Sequence, residues 1–373
     1  MRIFLEPQET LLFRNGRPFD AGEVGYAETV FPPTPETLQG VVRSMIATQY
    51  ATGSRKSIAE VFSNQDFVNL IGNRNSYGRF SISNIALARH NGDEIESLYP
   101  VPAHVVEDEE GKFRLKPDPK SDVQSNMPDK MQYLVPGRET KGKIEPVEGW
   151  LSLTNLQTVL QSSTDISKLK IIKEGEIYER EPRVGIGMDS RRKVTEEGLL
   201  YSTQMLRMKE EYGFLITIYI AKDQNPYEKD EQATQIIYNA LKKSGWVTMG
   251  GEQRAARFEI LPDSVSNNTG SGRLLYLATP AVFSKGWQPA QWTTKAPIAA
   301  AISRYQLIGG WKFDTMNSGG GDQKSLRRCV PAGSVYFFDQ PVTLPSPIGD
   351  HQEVNNNPTY IGYGIIMTGD WKQ

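Results

Sequence analysis

Apolar and polar positions alternate along this chain with two periods, and the two periods separate strands from helices. Residues 3–13 read as a strand, and Asn15-Gly16 behind it has the left-handed preference of a tight turn before Arg17, Pro18 and Phe19. Thr34 followed by Pro35 marks a helix start, because the hydroxyl can cap and the proline ring suits the first helical position. Leu38, Val41, Val42, Met45, Ile46 and Tyr50 then recur at helical spacing, which predicts a helix with one buried stripe. Residues 77–89 alternate as a strand with Phe80, Ile82 and Ile85 inward. The clearest strand is 212–221, where Phe214, Ile216, Ile218 and Ile220 share one face. A helix is predicted over about 228–244, with Ala233, Ile236, Ile237, Ala240 and Leu241 at helical spacing and Gly245 ending it. Gly250-Gly251-Glu252 and a strand over 254–261 follow.

From about 91 to 211 the pattern loosens into an acidic loop (107–111), a Pro/Asp/Lys-rich stretch (117–130) and short apolar segments such as 150–160. This reads as an insertion. Without it, residues 1–262 run strand, helix, strand, strand, helix, strand, the order of a ferredoxin-like module. Residues 263–373 repeat the order less clearly, with strands at 273–283, 300–307, 335–338 and 361–367. The predicted fold is therefore α+β: two ferredoxin-like (RRM-like) βαββαβ modules in tandem, 1–262 carrying the insertion and 263–373. A length of 373 residues suits two domains.

Composition narrows the function. With 42 basic and 44 acidic residues the formal charge is -2, so a nucleic-acid site has to be a local patch. The one cysteine, Cys329, excludes an internal disulfide and a cysteine-rich zinc site and suits a reducing compartment. Arg2, Glu6 and Glu9 interrupt the apolar start, and no segment approaches the roughly 20 apolar residues of a membrane helix. A cytosolic protein without membrane contact is expected.

The catalytic inventory is thin. His90, His104 and His351 stand far apart without ligand spacing, and Asp108, Glu109 and Glu110 form an acidic loop with no second cluster to complete a two-metal site. Gly319-Gly320-Gly321 before Lys324, Arg327 and Arg328 lacks the Gly-Lys-Ser/Thr ending of a P-loop, and Gly362-Tyr363-Gly364 lacks the third glycine of a dinucleotide fingerprint. No cofactor, metal or catalytic residue is expected.

Basic and glycine-rich positions are the candidates instead. Arg14 and Arg17 flank the first turn, where both guanidiniums can reach an anion. Arg191, Arg192 and Lys193 form a dense basic run inside the insertion; it suits a clamp on single-stranded RNA or a solvated charge run equally. Arg43, at the border of the helical stripe, and Arg207 are likewise open between structural and functional roles. Gly250-Gly251 before Arg254 and Arg257 reads as a plain helix-to-strand turn or as a place where backbone approaches a phosphate.

Several segments, in order, resemble the third RAMP subunit of the Cmr-type (type III-B) CRISPR effector complex. They are Leu12-Phe13-Arg14-Asn15-Gly16-Arg17-Pro18-Phe19; Phe31-Pro32-Pro33-Thr34-Pro35 running into Gly40-Val41-Val42-Arg43-Ser44; and Gly185-Ile186-Gly187-Met188-Asp189 with Gly198-Leu199-Leu200-Tyr201. Gly250-Gly251-Glu252-Gln253-Arg254, Gly309-Gly310-Trp311 and the stretch from Val330 to Phe338 complete the set. The resemblance implies paired ferredoxin-like modules without a catalytic site. It also implies binding of the guide RNA's 5′ tag, docking to the large polymerase-like subunit and to backbone RAMP subunits, and only indirect contact with target RNA. On this reading Gly250, Gly251 and Arg254, then Gly309, Gly310 and Lys312, grip RNA together with Arg14, Arg17, Arg43, Arg191, Arg192, Arg327 and Arg328. Tyr26, Phe31 or Trp311 would offer faces for bases.

Two rivals stand beside it. A metal-independent guide-processing endoribonuclease on the same fold usually places a histidine base near the first helix; no histidine precedes His90, so Tyr26 or Tyr50 would have to substitute. A purely structural subunit that never touches RNA is compatible with the near-zero charge.

Overall fold

Strand β1 (Arg2–Pro7) sends Ile3 and Leu5 into the main core and Phe4 to the opposite face, against Ala88 and Leu215. The computed structural model describes the chain apart from residues 14–24, 74–75, 93, 120–130, 163, 189–194, 224, 263–269, 291, 293–295, 314–320, 350–357 and 372–373. After β2 (Gly25–Glu28) comes α1 (Pro35–Ser54), whose start forms as its sequence predicts: Thr34 Oγ1 accepts the Thr37 N–H at 3.3 Å. Its stripe of Leu38, Val42, Met45 and Ile46 is buried. Two short helices, α2 (Ile58–Ser63) and α3 (Gln65–Ile71), lead to β3 (Phe80–Asn91) and β4 (Glu94–Pro100).

A small sheet follows, made of β5 (Val105–Asp108), β6 (Gly111–Asp118), β7 (Tyr133–Pro136) and β8 (Glu145–Pro146). Then come β9 (Trp150–Ser152), α4 (Leu153–Leu160), α5 (Glu174–Ile177) and a long hairpin of β10 (Tyr178–Met188) and β11 (Thr195–Met208). The chain returns through β12 (Tyr212–Lys222), β13 (Asn225–Lys229), α6 (Glu231–Ala240), β14 (Ser244–Met249) and β15 (Arg254–Leu261).

The main sheet has the order β14-β15-β1-β12-β3-β4-β9, with β13 paired to β12. Its centre is antiparallel: Phe4 stands between Glu259 and Leu215, and Ile216 lies opposite Ile85. Helices α1 and α6 bury Leu38, Met45, Ala233 and Ile237 in the same core as Ile3, Ile216 and Phe258.

Two expectations change. The helix predicted over about 228–244 spans Glu231–Ala240: Asp230 caps it late, and the residues after Lys243 alternate as a strand, with Val247 and Met249 buried and Trp246 and Thr248 exposed. Gly245 is thus a strand residue, and Gly250-Gly251 turns a β-hairpin rather than joining a helix to a strand. The loose stretch between β3 and β12 is also well structured. It reads weakly because its apolar positions are spread over short strands whose packing partners lie far along the chain.

Those partners are in the C-terminal region: β16 (Gly272–Leu277), β17 (Ala299–Ala301), β18 (Gln306–Ile308), β19 (Trp311–Phe313), β20 (Gly321–Gln323), β21 (Arg327–Cys329), β22 (Val335–Val342) and β23 (Ile366–Gly369). Strands β17-β22-β16-β23 make one sheet, and β18–β21 and β19–β20 make two ribbons. Tyr99, Val101, Leu151, Leu156 and Leu160 share a core with Leu274, Tyr276, Val335, Phe337 and Met367, and the Tyr276 hydroxyl donates to the Pro100 carbonyl at 2.7 Å. Among the described residues no α-helix follows α6, and no helix is long and apolar enough to cross a membrane. The result is a mixed α+β, sheet-rich architecture with few helices.

Candidate functional site

The first half of α1 carries a polar face beside its buried stripe. Glu36, Gly40 and Arg43 fall at helical spacing on it, and Gln39 sits at its buried border. The buried Nε of Arg43 and Nε2 of Gln39 have no hydrogen-bond partner. Burial lowers the Arg43 pKa from its ordinary value, and Tyr77 works against that shift. Beside these groups the surface is open: a side chain on Gly40 would meet nothing within 4 Å.

The C-terminal region closes on the same helix. Ile308 and Cys329, facing each other's strands across the β18–β21 ribbon, join the core that holds α1. Gly310 follows the ribbon; a Cβ there would lie 3.3 Å from Lys324 Cδ and 3.5 Å from Glu36 Oε2. The Lys324 N–H donates to the Gly310 carbonyl at 2.9 Å, and its ammonium pairs with Glu36. Gly310 and Lys324, distant in sequence from α1, thus meet its first turn at Glu36, on the helix that also carries Arg43. The side chains of Lys312 and Trp311 lie outside the described residues; in the backbone register Lys312 faces Asp322 across the β19–β20 ribbon.

The turn itself requires glycine at Gly250. Its φ is +73°, and a Cβ would lie 2.9 Å from the Leu12 carbonyl oxygen, which accepts the Gly251 N–H at 2.8 Å. The turn is therefore fastened to Leu12 and Phe13. The Phe13 carbonyl in turn accepts the Val30 N–H at 2.9 Å, so this turn adjoins the chain leading into α1. Arg254 pairs with Glu252, and its buried Nε has no hydrogen-bond partner. Arg14 and Arg17, in the segment between Phe13 and β2, lie outside the described residues, as do Arg191 and Arg192 and the Tyr26 side chain.

Other predicted positions stand apart. Arg327 and Arg328 are exposed on β21, with the Arg328 guanidinium 5.1 Å from the Tyr305 ring centroid. Phe31 packs at 4.4 Å on Tyr178 and within 6.1 Å of Trp150 and Phe214, so its partly buried ring lies against the core. Arg207 pairs with Glu181. His104 is buried without a side-chain partner; burial first, and then the Arg114 charge, push its pKa down to about 3 and keep it neutral. His351 lies outside the described residues. Asp108 is not a solvated carboxylate: Arg138 grips both oxygens at 2.5 and 2.9 Å and holds its pKa well below the usual range. Among the described residues no group of three or more His, Cys, Asp or Glu is placed to hold a metal ion.

The Glu36–Lys324 pair and Gln39 escaped sequence reasoning. A glutamine inside a buried stripe was the available signal for the second; the first joins residues 288 positions apart and left none.

An α+β, sheet-rich scaffold thus brings the Gly310 backbone and Lys324 against the first turn of the helix that carries Arg43. Its sequence assigns the family: residues 3–371 match the CRISPR-associated protein (Cas_Cmr3) family, and the chain belongs to it. A chain in the cryo-EM structure of the type III-B Cmr-beta bound to cognate target RNA is similar in fold, with 16% identity, 90% of this chain and 86% of that chain covered, and a TM-score of 0.50. A chain of the same assembly bound to target RNA and AMPPnP matches with 17% identity, coverage of 90% and 86%, and a TM-score of 0.48. A chain of the Csm3-Csm4 subcomplex of a type III-A interference complex matches with 13% identity, coverage of 92% and 98%, and a TM-score of 0.39. No curated protein sequence matches the chain.

Proposed function

We propose that this chain is a non-catalytic subunit of a type III-B CRISPR RNA-guided RNA-targeting complex. In this role it binds the 5′ tag of the guide RNA and bridges the large polymerase-like subunit to the backbone RAMP subunits. The family match over residues 3–371 carries the reading. The solved chain of the same fold belongs to an assembly bound to target RNA, which supports an RNA-containing setting. The strand order β15-β1-β12-β3 with α1 and α6 on one face supports a ferredoxin-like first module; the C-terminal sheet, with no α-helix among its described residues, departs from the expected second βαββαβ module.

RNA would lie along the α1 face, where Gly40 leaves room, the half-buried Arg43 stands at the border and Lys324 brings charge. A binding role rather than a catalytic one is supported by the state of His104, which is buried and neutral and so poorly suited to proton transfer in solvent.

Arg43→Lys tests the site while keeping its charge. A planar fork is lost, so guide-RNA retention should weaken by about tenfold with folding unchanged. Retention equal to wild type would remove Arg43 from the interface.

A further inference from the structure

Three of the exposed large apolar side chains cluster on one ribbon: Tyr305 (50% exposed), Leu307 (43%) and Leu326 (50%). The pairing register accounts for this. Across β18–β21, Gln306 lies opposite Cys329, Leu307 opposite Arg328 and Ile308 opposite Arg327. Side chains alternate along a strand, so the face with Ile308 and Cys329 enters the core, while Leu307 and Arg328 stand on the outer face. Tyr305 and Leu326 flank the ribbon at its opposite ends, two residues before Leu307 and before Arg328, and the Arg328 guanidinium reaches over the Tyr305 ring.

Charge on this ribbon is one-sided. Residues 303–310 and 324–329 contain no Asp or Glu. Arg304, Arg327 and Arg328 are exposed and take part in none of the ion pairs among the described residues. Arg328 thus sets uncompensated charge beside Leu307 on the outer face, whereas Arg327 lies opposite Ile308 in the register.

We infer that the outer face of the β18–β21 ribbon is a protein-docking surface, and that its occupant is a segment of a neighbouring subunit with an apolar centre flanked by carboxylates. This rests on the reading of the chain as an assembled subunit. Two observations favour protein over RNA. Leu307 and Leu326 offer aliphatic surface with no π-face for a base, and Arg328 already covers the face of Tyr305 on which a base would stack. An apolar centre with a charged rim is also the anatomy of a protein interface, and carboxylates in the occupant would complement the free arginines.

The test uses the complex reconstituted from purified full-length subunits and guide RNA, with benzoylphenylalanine in place of Leu307. Photo-crosslinking should attach position 307 to a subunit peptide containing Asp or Glu beside apolar residues. An adduct to RNA, or no adduct in an assembled complex, overturns the inference. As a second measurement, the double variant Leu307→Glu, Leu326→Glu should fold with an unchanged melting temperature yet bind the crosslinked subunit at least tenfold more weakly; equal binding overturns it. A wild-type chain that joins no complex would instead defeat the proposed function, which keeps the two failures apart.

Discussion

The ammonium of Lys324 pairs with the carboxylate of Glu36, tying the segment before β21 to the first turn of α1. Both groups are partly exposed, so the pair itself contributes only about 0–1 kcal/mol to stability. Its effect on an anionic ligand is larger, since Glu36 places negative charge where a phosphate would approach. Glu36→Gln should tighten guide-RNA binding by about two- to fivefold and steepen the salt dependence by about one released counterion, as Lys324 becomes free. Filter binding between low and moderate salt reads both. Weaker binding would show that Glu36 positions Lys324 rather than opposing RNA.

His104 makes the fold acid-sensitive. Its ring sits edge-on to Phe337 at 5.6 Å, without a hydrogen bond, and its pKa is pushed down to about 3. The folded value lies below the unfolded value of about 6.5, so the stabilisation is complete above the unfolded value and is lost as pH falls toward 3. The slope from this one group is about 1.4 kcal/mol per pH unit between those limits. Urea denaturation at pH 7, 6, 5 and 4 should show it, and His104→Leu should flatten that portion of the curve. An unchanged curve would place the acid sensitivity elsewhere.

Two glycines should respond to alanine in opposite directions. At Gly250, with φ +73° and the Leu12 oxygen 2.9 Å from the new Cβ, alanine should cost about 1–3 kcal/mol. At Gly40, inside α1 and facing open space, alanine should stabilise by up to about 1 kcal/mol through helix propensity. Thermal melts of the two variants compare them directly. Equal shifts would mean that neither the turn nor the helix is built as described.

The strong periodicities were readable without coordinates. Thr34-Pro35 and the stripe from Leu38 to Tyr50 specified α1, and the alternation from Phe214 to Ile220 specified the centre of the sheet. What escaped was non-local. Val247 and Met249 belong to a strand only because β15 lies beside them, and Tyr99, Leu151 and Leu156 look isolated until Tyr276 and Phe337 fold over them. The candidate site was legible as residue types rather than as a place. Glu36 and Gly310 are distant in sequence and meet because Ile308 and Cys329 anchor their ribbon in the α1 core. Phe31 looked like a free aromatic in sequence because nothing local reveals that Tyr178 and Phe214 surround it.

The most direct test of the account is to incubate the purified chain with 5′-labelled guide RNA, alone and with the large subunit, and to follow binding and cleavage with and without chelator. The account predicts that RNA is bound intact, more tightly with the partner present, in every condition. Chelator-resistant cleavage at one site, or no RNA contact even in the assembled complex, would contradict it.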